Sequence, residues 1–164
     1  MMKKKGLLFS LLALGGVATA VALAKTKKKA KEYEEVMFVE IDDNDDDNQE
    51  FGYVVDELKE IYPYLQTSFI NTIYQENEQF DNQYTGKIKV NHVIVFEDEN
   101  DCNIFIDVSN ENGYDVSKEG LKVYLDSYFE NEKGRIMSDI LNVANQAACL
   151  NGSYTGYKIE VEKV

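Results

Sequence analysis

The chain of 164 residues is poor in the residue types from which most active sites are built. It has a single histidine, His92, two cysteines, one proline and no tryptophan. Metal sites and the systems that activate a serine or cysteine nucleophile usually draw on histidine, so a histidine cluster is excluded. Cys102 and Cys149 lie 47 positions apart, which excludes a C-x-x-C motif and the spacing of a zinc site.

Positive charge is missing from most of the chain. Residues 1–31 carry +8, and since the whole chain carries −13, residues 32–164 carry −21. A domain of that charge is repelled by nucleic acid and by anionic lipid, so we expect no nucleic-acid partner. The sequence also has no glycine-rich phosphate loop, no paired-carboxylate motif and no basic aromatic patch. Lysine outnumbers arginine 16 to 1, which favours an AT-rich genome such as that of a low-GC bacterium.

The one long apolar run is at the N-terminus and contains 19 residues, from Gly6 to Ala24. Three lysines precede it, five follow it, and no acidic residue occurs before Glu32. As a helix the run spans about 28 Å, close to the thickness of the hydrocarbon core of a bilayer. Because more positive charge follows than precedes it, the positive-inside rule predicts a single-pass cell-membrane anchor with a cytoplasmic C-terminal domain. This N-terminus resembles, in composition, those of small single-anchor proteins of low-GC bacteria, which implies membrane tethering alone.

A cleaved signal peptide is the alternative interpretation of the same segment. Ala22-Leu23-Ala24 matches an A-x-A cleavage site, and cleavage at Ala24 would give a secreted or cell-surface protein. The run exceeds the usual apolar length of about 7–15 residues in signal peptides, which favours the anchor. As a membrane helix, it offers a small-residue stripe for self-association at Gly16, Ala20 and Ala24.

We divide the chain into an anchor with flanking lysines (1–31), an acidic linker (32–50) and one α+β domain (51–164). The linker has ten acidic residues and no basic one, which predicts a solvated spacer, although Val36–Val39 could pair as an edge strand. A calcium loop is not predicted, because the register starting at Asp43 lacks the required glycine and the final glutamate.

Apolar periodicity predicts the elements of the domain. Leu121–Phe129 fits both a strand and a helix, and we predict a helix with Ser117 as its N-cap. The full prediction is a helical run over Phe51–Ile73 interrupted at Pro63, a β-hairpin of Lys87–Glu97 with Cys102–Val108, helices over Leu121–Phe129 and Glu132–Leu150, and a strand over Tyr157–Val161. The order α-β-β-α-α-β favours an antiparallel sheet with helices packed on one face.

His92 alternates with Val90 and Ile94, so we predict a packed, hydrogen-bonded core histidine. The alternative is a nucleophile pair with Cys102 across the predicted hairpin. We assign no catalytic, cofactor-binding or metal-ligating residue and no cofactor.

The sequence favours a membrane-tethered, non-catalytic interaction or adaptor module that binds an unidentified protein. Two alternatives stay open. One is an exported binding protein, in which Cys102 and Cys149 would form a disulfide rather than the reduced thiols of a cytoplasmic domain. The other is an enzyme that uses carboxylates with a divalent metal.

Overall fold

The computed structural model describes residues 8–10, 32–41, 52–81 and 86–163, which form an α+β fold. The described part of the chain has four helices and six strands. In chain order they are β1 (Leu8–Ser10), β2 (Tyr33–Glu40), α1 (Tyr53–Ile61), α2 (Thr67–Asp81), β3 (Lys87–Val95), α3 (Glu99–Glu111), β4 (Asp115–Glu119), β5 (Lys122–Glu130), α4 (Arg135–Cys149) and β6 (Ser153–Glu162).

The strands form one sheet in the order β1-β2-β6-β3-β5-β4, and all neighbouring strands are antiparallel. α3 connects β3 to β4 while β5 lies between those strands, and α4 connects β5 to β6 while β3 lies between them. These two split βαβ units have the strand order of a ferredoxin-like βαββαβ domain. β2 extends the sheet on the β6 side, and α1 and α2 lie between β2 and β3 in the chain.

One face of the sheet is buried against the helices. His92 is fully buried in the middle of β3, and its register partners on either side, Leu125 of β5 and Tyr157 of β6, are buried too. Because side chains alternate along a strand, these residues and Val39 of β2 share one face. Val39, Leu125 and Tyr157 belong to a single core cluster that also contains residues of α2, α3 and α4. The predicted antiparallel sheet with helices on one face is confirmed.

The opposite face of the sheet carries a cluster of charged residues. Lys89 Nζ of β3 lies 3.4 Å from Asp126 Oδ2 of β5 and 3.1 Å from Glu160 Oε2 of β6. Opposite charges on neighbouring strands stabilise the pairing modestly and keep this face compatible with water.

The predicted strand over Cys102–Val108 is wrong, because these residues lie in α3. Alternating apolar residues are present there, but the buried ones are Cys102, Phe105 and Ser109, which have the spacing of one helical face. The side chain of Asp98 caps the helix by accepting a hydrogen bond from the N–H of Asp101 at 3.1 Å. The predicted hairpin does not form, and β3 pairs instead with β5 and β6.

The predicted helix over Leu121–Phe129 is also wrong, because the segment forms β5. Its buried residues Val123, Leu125 and Ser127 alternate along the strand. Long-range pairing decides between the two patterns, since β5 has a strand on each side of it. Ser117, predicted as an N-cap, lies in β4.

The other predicted elements of the domain are confirmed. The helical run is interrupted around Pro63, which lies in the loop between α1 and α2 rather than in the first turn of α2. α4 corresponds to the predicted helix over Glu132–Leu150, and it begins after Gly134, whose φ of 79° is left-handed. β6 is the predicted C-terminal strand, and β2 includes the apolar stretch Val36–Val39.

Most of the predicted anchor and spacer lies outside the described residues, including Gly16, Ala20 and Ala24 and the acidic run from residue 42 to residue 50. Leu8–Ser10 is described and pairs with β2, so it is extended where hydropathy predicts a helix. Such pairing satisfies backbone groups along the outer edge of β2. Residues 33–40, which we predict as part of the linker, contribute β2 to the sheet. Within the described ranges, no helix is long and apolar enough to cross a membrane.

Candidate functional site

A groove of about 620 Å³ lies between α3 and α4. Leu125 of β5 lines it from the sheet, and Tyr64 lines it from the loop between α1 and α2. We call it the α3/α4 groove and define it by Tyr64, Ile104, Phe105, Val108, Ser109, Asn112, Tyr114, Leu125, Asn142, Val143, Asn145, Gln146, Cys149 and Leu150.

The described residues that line the groove are uncharged. None of these fourteen residues is an aspartate, glutamate, lysine, arginine or histidine, although residues 32–164 carry −21. The groove combines buried apolar residues such as Phe105 and Leu125 with carboxamides. Within the part of the chain that the structure describes, the side chains of Asn112, Asn142 and Gln146 make no hydrogen bond. Their donors and acceptors are therefore available to a ligand.

Tyr64 and Cys149 lie together in the groove. The backbone N–H of Tyr64 donates to Asn145 Oδ1 at 3.0 Å, which ties the loop between α1 and α2 to α4. The neighbouring Cys149 thiol raises the pKa of the Tyr64 hydroxyl. Cys149 is exposed, whereas Cys102 is buried, and both are free thiols in the structure.

A buried polar network joins β3 and α4 next to the groove. His92 Nε2 lies 2.8 Å from Asp139 Oδ2, and His92 Nδ1 lies 2.7 Å from the hydroxyl of Tyr154. Asp139 also accepts hydrogen bonds from the hydroxyls of Ser127, at 2.6 Å, and Tyr114, at 2.7 Å. Because Tyr114 also lines the groove, the network connects the groove to the core.

The partners indicate where a proton of the network lies. His92 Nε2 carries a proton that it donates to Asp139, and Nδ1 is hydrogen-bonded to the Tyr154 hydroxyl, so both nitrogens have partners. We assign the proton on Nε2 from the hydrogen-bond network. Burial by itself raises the pKa of Asp139, but the hydrogen bond and the charge interaction with His92, together with the hydrogen bonds from Ser127 and Tyr114, outweigh it and lower that pKa below its usual value. Asp139 is therefore a carboxylate inside the domain.

The network contains serine, histidine and aspartate but lacks the order of a catalytic triad. In a triad one imidazole nitrogen faces the aspartate and the other accepts the serine proton. Here Ser127 Oγ donates to Asp139 and lies 3.5 Å from the same Nε2 that faces Asp139, while Tyr154 occupies Nδ1. His92 is fully buried and Ser127 is 9% exposed. The network can fix α4 on the sheet, but it offers no exposed nucleophile.

The prediction of His92 as a packed, hydrogen-bonded core histidine is confirmed. The alternative pair with Cys102 is not formed, because both ring nitrogens have other partners and Cys102 lies on α3. Sequence reasoning missed Asp139, although a signal was present. It lies three residues after Ile136 and four before Val143, so a carboxylate shares the apolar face of α4. The carboxamides of the groove follow no recognisable motif.

Known proteins offer no identification. No protein-family model, no curated protein and no solved structure matches this chain. The ferredoxin-like strand order supports many unrelated functions and therefore does not indicate one. Across the described ranges, no group of three or more histidine, cysteine, aspartate or glutamate side chains is placed to hold a metal ion. The α3/α4 groove is the feature on which a functional proposal can rest.

Proposed function

We propose that this protein is a membrane-tethered, non-catalytic interaction module that binds a protein partner in the α3/α4 groove. The observation that carries the proposal is a groove of about 620 Å³ whose described lining is uncharged, in a strongly acidic domain. This volume is within the range of about 300–1,000 Å³ that is typical of ligand sites.

The composition of the groove supports a protein partner. The central parts of protein interfaces are depleted of charged residues and enriched in tyrosine. Tyr64 and Tyr114 line the groove, and Ile104, which is 41% exposed, adds apolar surface at α3. An acidic exterior repels nucleic acid and other acidic molecules, while the neutral groove does not require a partner to bury a charge.

The walls of the groove support a preformed site. α4 is fixed on the sheet through Asp139, which accepts hydrogen bonds from residues of β3, β5 and the segment before β4. Asn145 fixes the loop that carries Tyr64. A wall that is rigid before binding lowers the entropic cost of association.

The tether is proposed from the sequence. The apolar run from Gly6 to Ala24 and the lysines that follow it favour insertion with the domain in the cytoplasm. Anchoring would restrict the groove to partners at the membrane or near it.

Site-specific crosslinking tests the groove. A photoreactive amino acid replaces Ile104 in the full-length protein, expressed in the cells in which it occurs, and the control carries it at Asp107. Asp107 is exposed on the same helix and lies outside the groove lining. We expect one defined protein adduct at position 104 and none at position 107. Equal labelling at both positions would contradict the proposal, and an adduct to a second copy of the chain would make the groove a self-association surface instead.

The intact mass of the protein from a washed membrane fraction tests the tether. We expect a species that retains the residues through Ala24. A species that begins at Lys25 in the soluble or exterior fraction would support the exported alternative and overturn the cytoplasmic topology.

A further inference from the structure

We infer, on the basis of the function proposed above, that the α3/α4 groove binds a short uncharged peptide segment in an extended conformation, held along α4 through its main chain. Alternate side chains of this peptide are apolar and occupy the space between the two helices.

The charge of the lining defines the first property of the ligand. A charged side chain that enters the groove loses water and meets no residue of opposite charge among the described lining residues. Outside the groove, the acidic domain repels an anionic ligand. The lining therefore favours a segment without charge.

The carboxamides of α4 define the second property. Asn142 and Gln146 are four residues apart, so they are separated by about 6 Å along the helix. The backbone groups on one edge of an extended chain recur every two residues, which is about 6.6 Å. A carboxamide can donate to a carbonyl and accept from an N–H at the same time. Both side chains are without a protein partner in the described part of the chain, so both can pair with the edge of one peptide.

An extended peptide fits these groups better than a helix or a sugar. A helix satisfies its backbone groups internally and would leave the carboxamides without a role. A sugar binds best against several open aromatic faces, but among the described aromatic residues of the lining Phe105 is 1% exposed and only Tyr64 is exposed. The groove also presents aliphatic side chains, among them Val108 and Ile104, which is 41% exposed, and these suit the alternate side chains of a strand.

The length of the groove limits the segment. Its lining residues on and after α4 run from Asn142 to Leu150, which corresponds to about 12 Å along the helix. That distance accommodates about four extended residues.

A capped hexapeptide that alternates serine and valine tests the inference on the full-length protein in detergent micelles. Cys149 lines the groove and is exposed, so its alkylation reports occupancy. We expect saturating peptide to slow alkylation of Cys149 at least fivefold. Replacing Asn142→Ala together with Gln146→Ala should raise the Kd by roughly fivefold or more, because two hydrogen bonds are lost. The matched control pair, Asn110→Ala with Gln75→Ala, removes exposed carboxamides outside the groove and should leave the Kd unchanged.

Three probes identify the outcomes that overturn the inference. Equal binding of the same peptide with methylated backbone nitrogens would exclude main-chain recognition. Equal binding of a peptide with aspartate in place of serine would exclude selection for an uncharged segment. Protection of Cys149 by an oligomer of N-acetylglucosamine, without protection by the peptide, would make the groove a sugar site. A defined crosslink at position 104, with no protection of Cys149 by the peptide, would overturn the inference of an extended peptide and leave the proposed interaction module intact. If neither the crosslink nor the protection is observed, both proposals are wrong.

Discussion

His92 Nε2 and Asp139 Oδ2 are 2.8 Å apart, and their contact joins the central strand β3 to α4 across 47 positions of sequence. The imidazole is fully buried, and the carboxylate has 11% of its side chain exposed. A buried carboxylate is costly unless hydrogen bonds replace its water, and Asp139 has three donors around it. The pair therefore fixes one wall of the groove at a single position on the sheet.

Asp139→Ala should destabilise the domain strongly. The change leaves His92, Ser127 and Tyr114 with buried donors that have lost their acceptor, and we expect a loss of about 3 kcal/mol in the free energy of unfolding. Urea unfolding of the full-length protein in micelles, followed by circular dichroism, measures it. The control Asp107→Ala removes an exposed carboxylate of α3 and should change stability by no more than about 0.5 kcal/mol. Similar losses in both variants would contradict the role of the network.

The stability conferred by Asp139 should depend on pH in the acid range. Its pKa is lower in the folded protein than in the unfolded chain, so the folded state favours the carboxylate. The resulting stabilisation is present above the unfolded pKa of about 4 and is lost as pH falls through the lower, folded value. We compare the free energy of unfolding of the wild type with that of Asp139→Asn, which stays uncharged. The difference between them should shrink below about pH 4. A difference that does not change on acidification would refute the assignment.

Two buried tyrosines of β6 should respond differently to the loss of their hydroxyl. Tyr154→Phe removes the hydrogen bond to His92 Nδ1 and should cost about 1 kcal/mol of stability. Tyr157 is fully buried, and burial raises the pKa of its hydroxyl, which makes no hydrogen bond with the described residues. Tyr157→Phe should therefore be neutral within about 0.5 kcal/mol or stabilising. Thermal unfolding of both variants shows which substitution lowers the stability more. A larger loss of stability for Tyr157→Phe than for Tyr154→Phe would contradict our interpretation.

The two thiols should react at very different rates. Cys149 is exposed in the groove, whereas Cys102 is buried in α3, and burial raises the pKa of the Cys102 thiol. Because the thiolate is the reactive form, Cys102 should be modified only as fast as the domain opens. Mass spectrometry of the iodoacetamide-treated protein should show one rapid addition, at Cys149. Denaturant should make the second addition rapid as well, and rapid modification of both thiols without denaturant would exclude the packing of α3 described here.

Several elements could be predicted from the sequence because their signals are local. The apolar face of α4 has a helical period, β3 alternates over its whole length, and Pro63 removes a donor from the helical run that it interrupts. Such patterns predict one structure whatever the rest of the chain does. The coarse α+β class follows from them.

The remaining elements of the fold and the candidate site depend on contacts between residues that are distant in sequence. The patterns of Cys102–Val108 and Leu121–Phe129 each fit both a helix and a strand, and pairing of β5 with β3 and β4 decides which structure each segment forms. The groove and the network also combine side chains from separate elements, such as Asn112 with Gln146 and His92 with Asp139. The sequence by itself determined local periodicity, where a helix had to stop, and where charge lies along the chain. Only the tertiary structure decided which faces meet, because burial and hydrogen bonding between distant segments select one of several locally compatible structures.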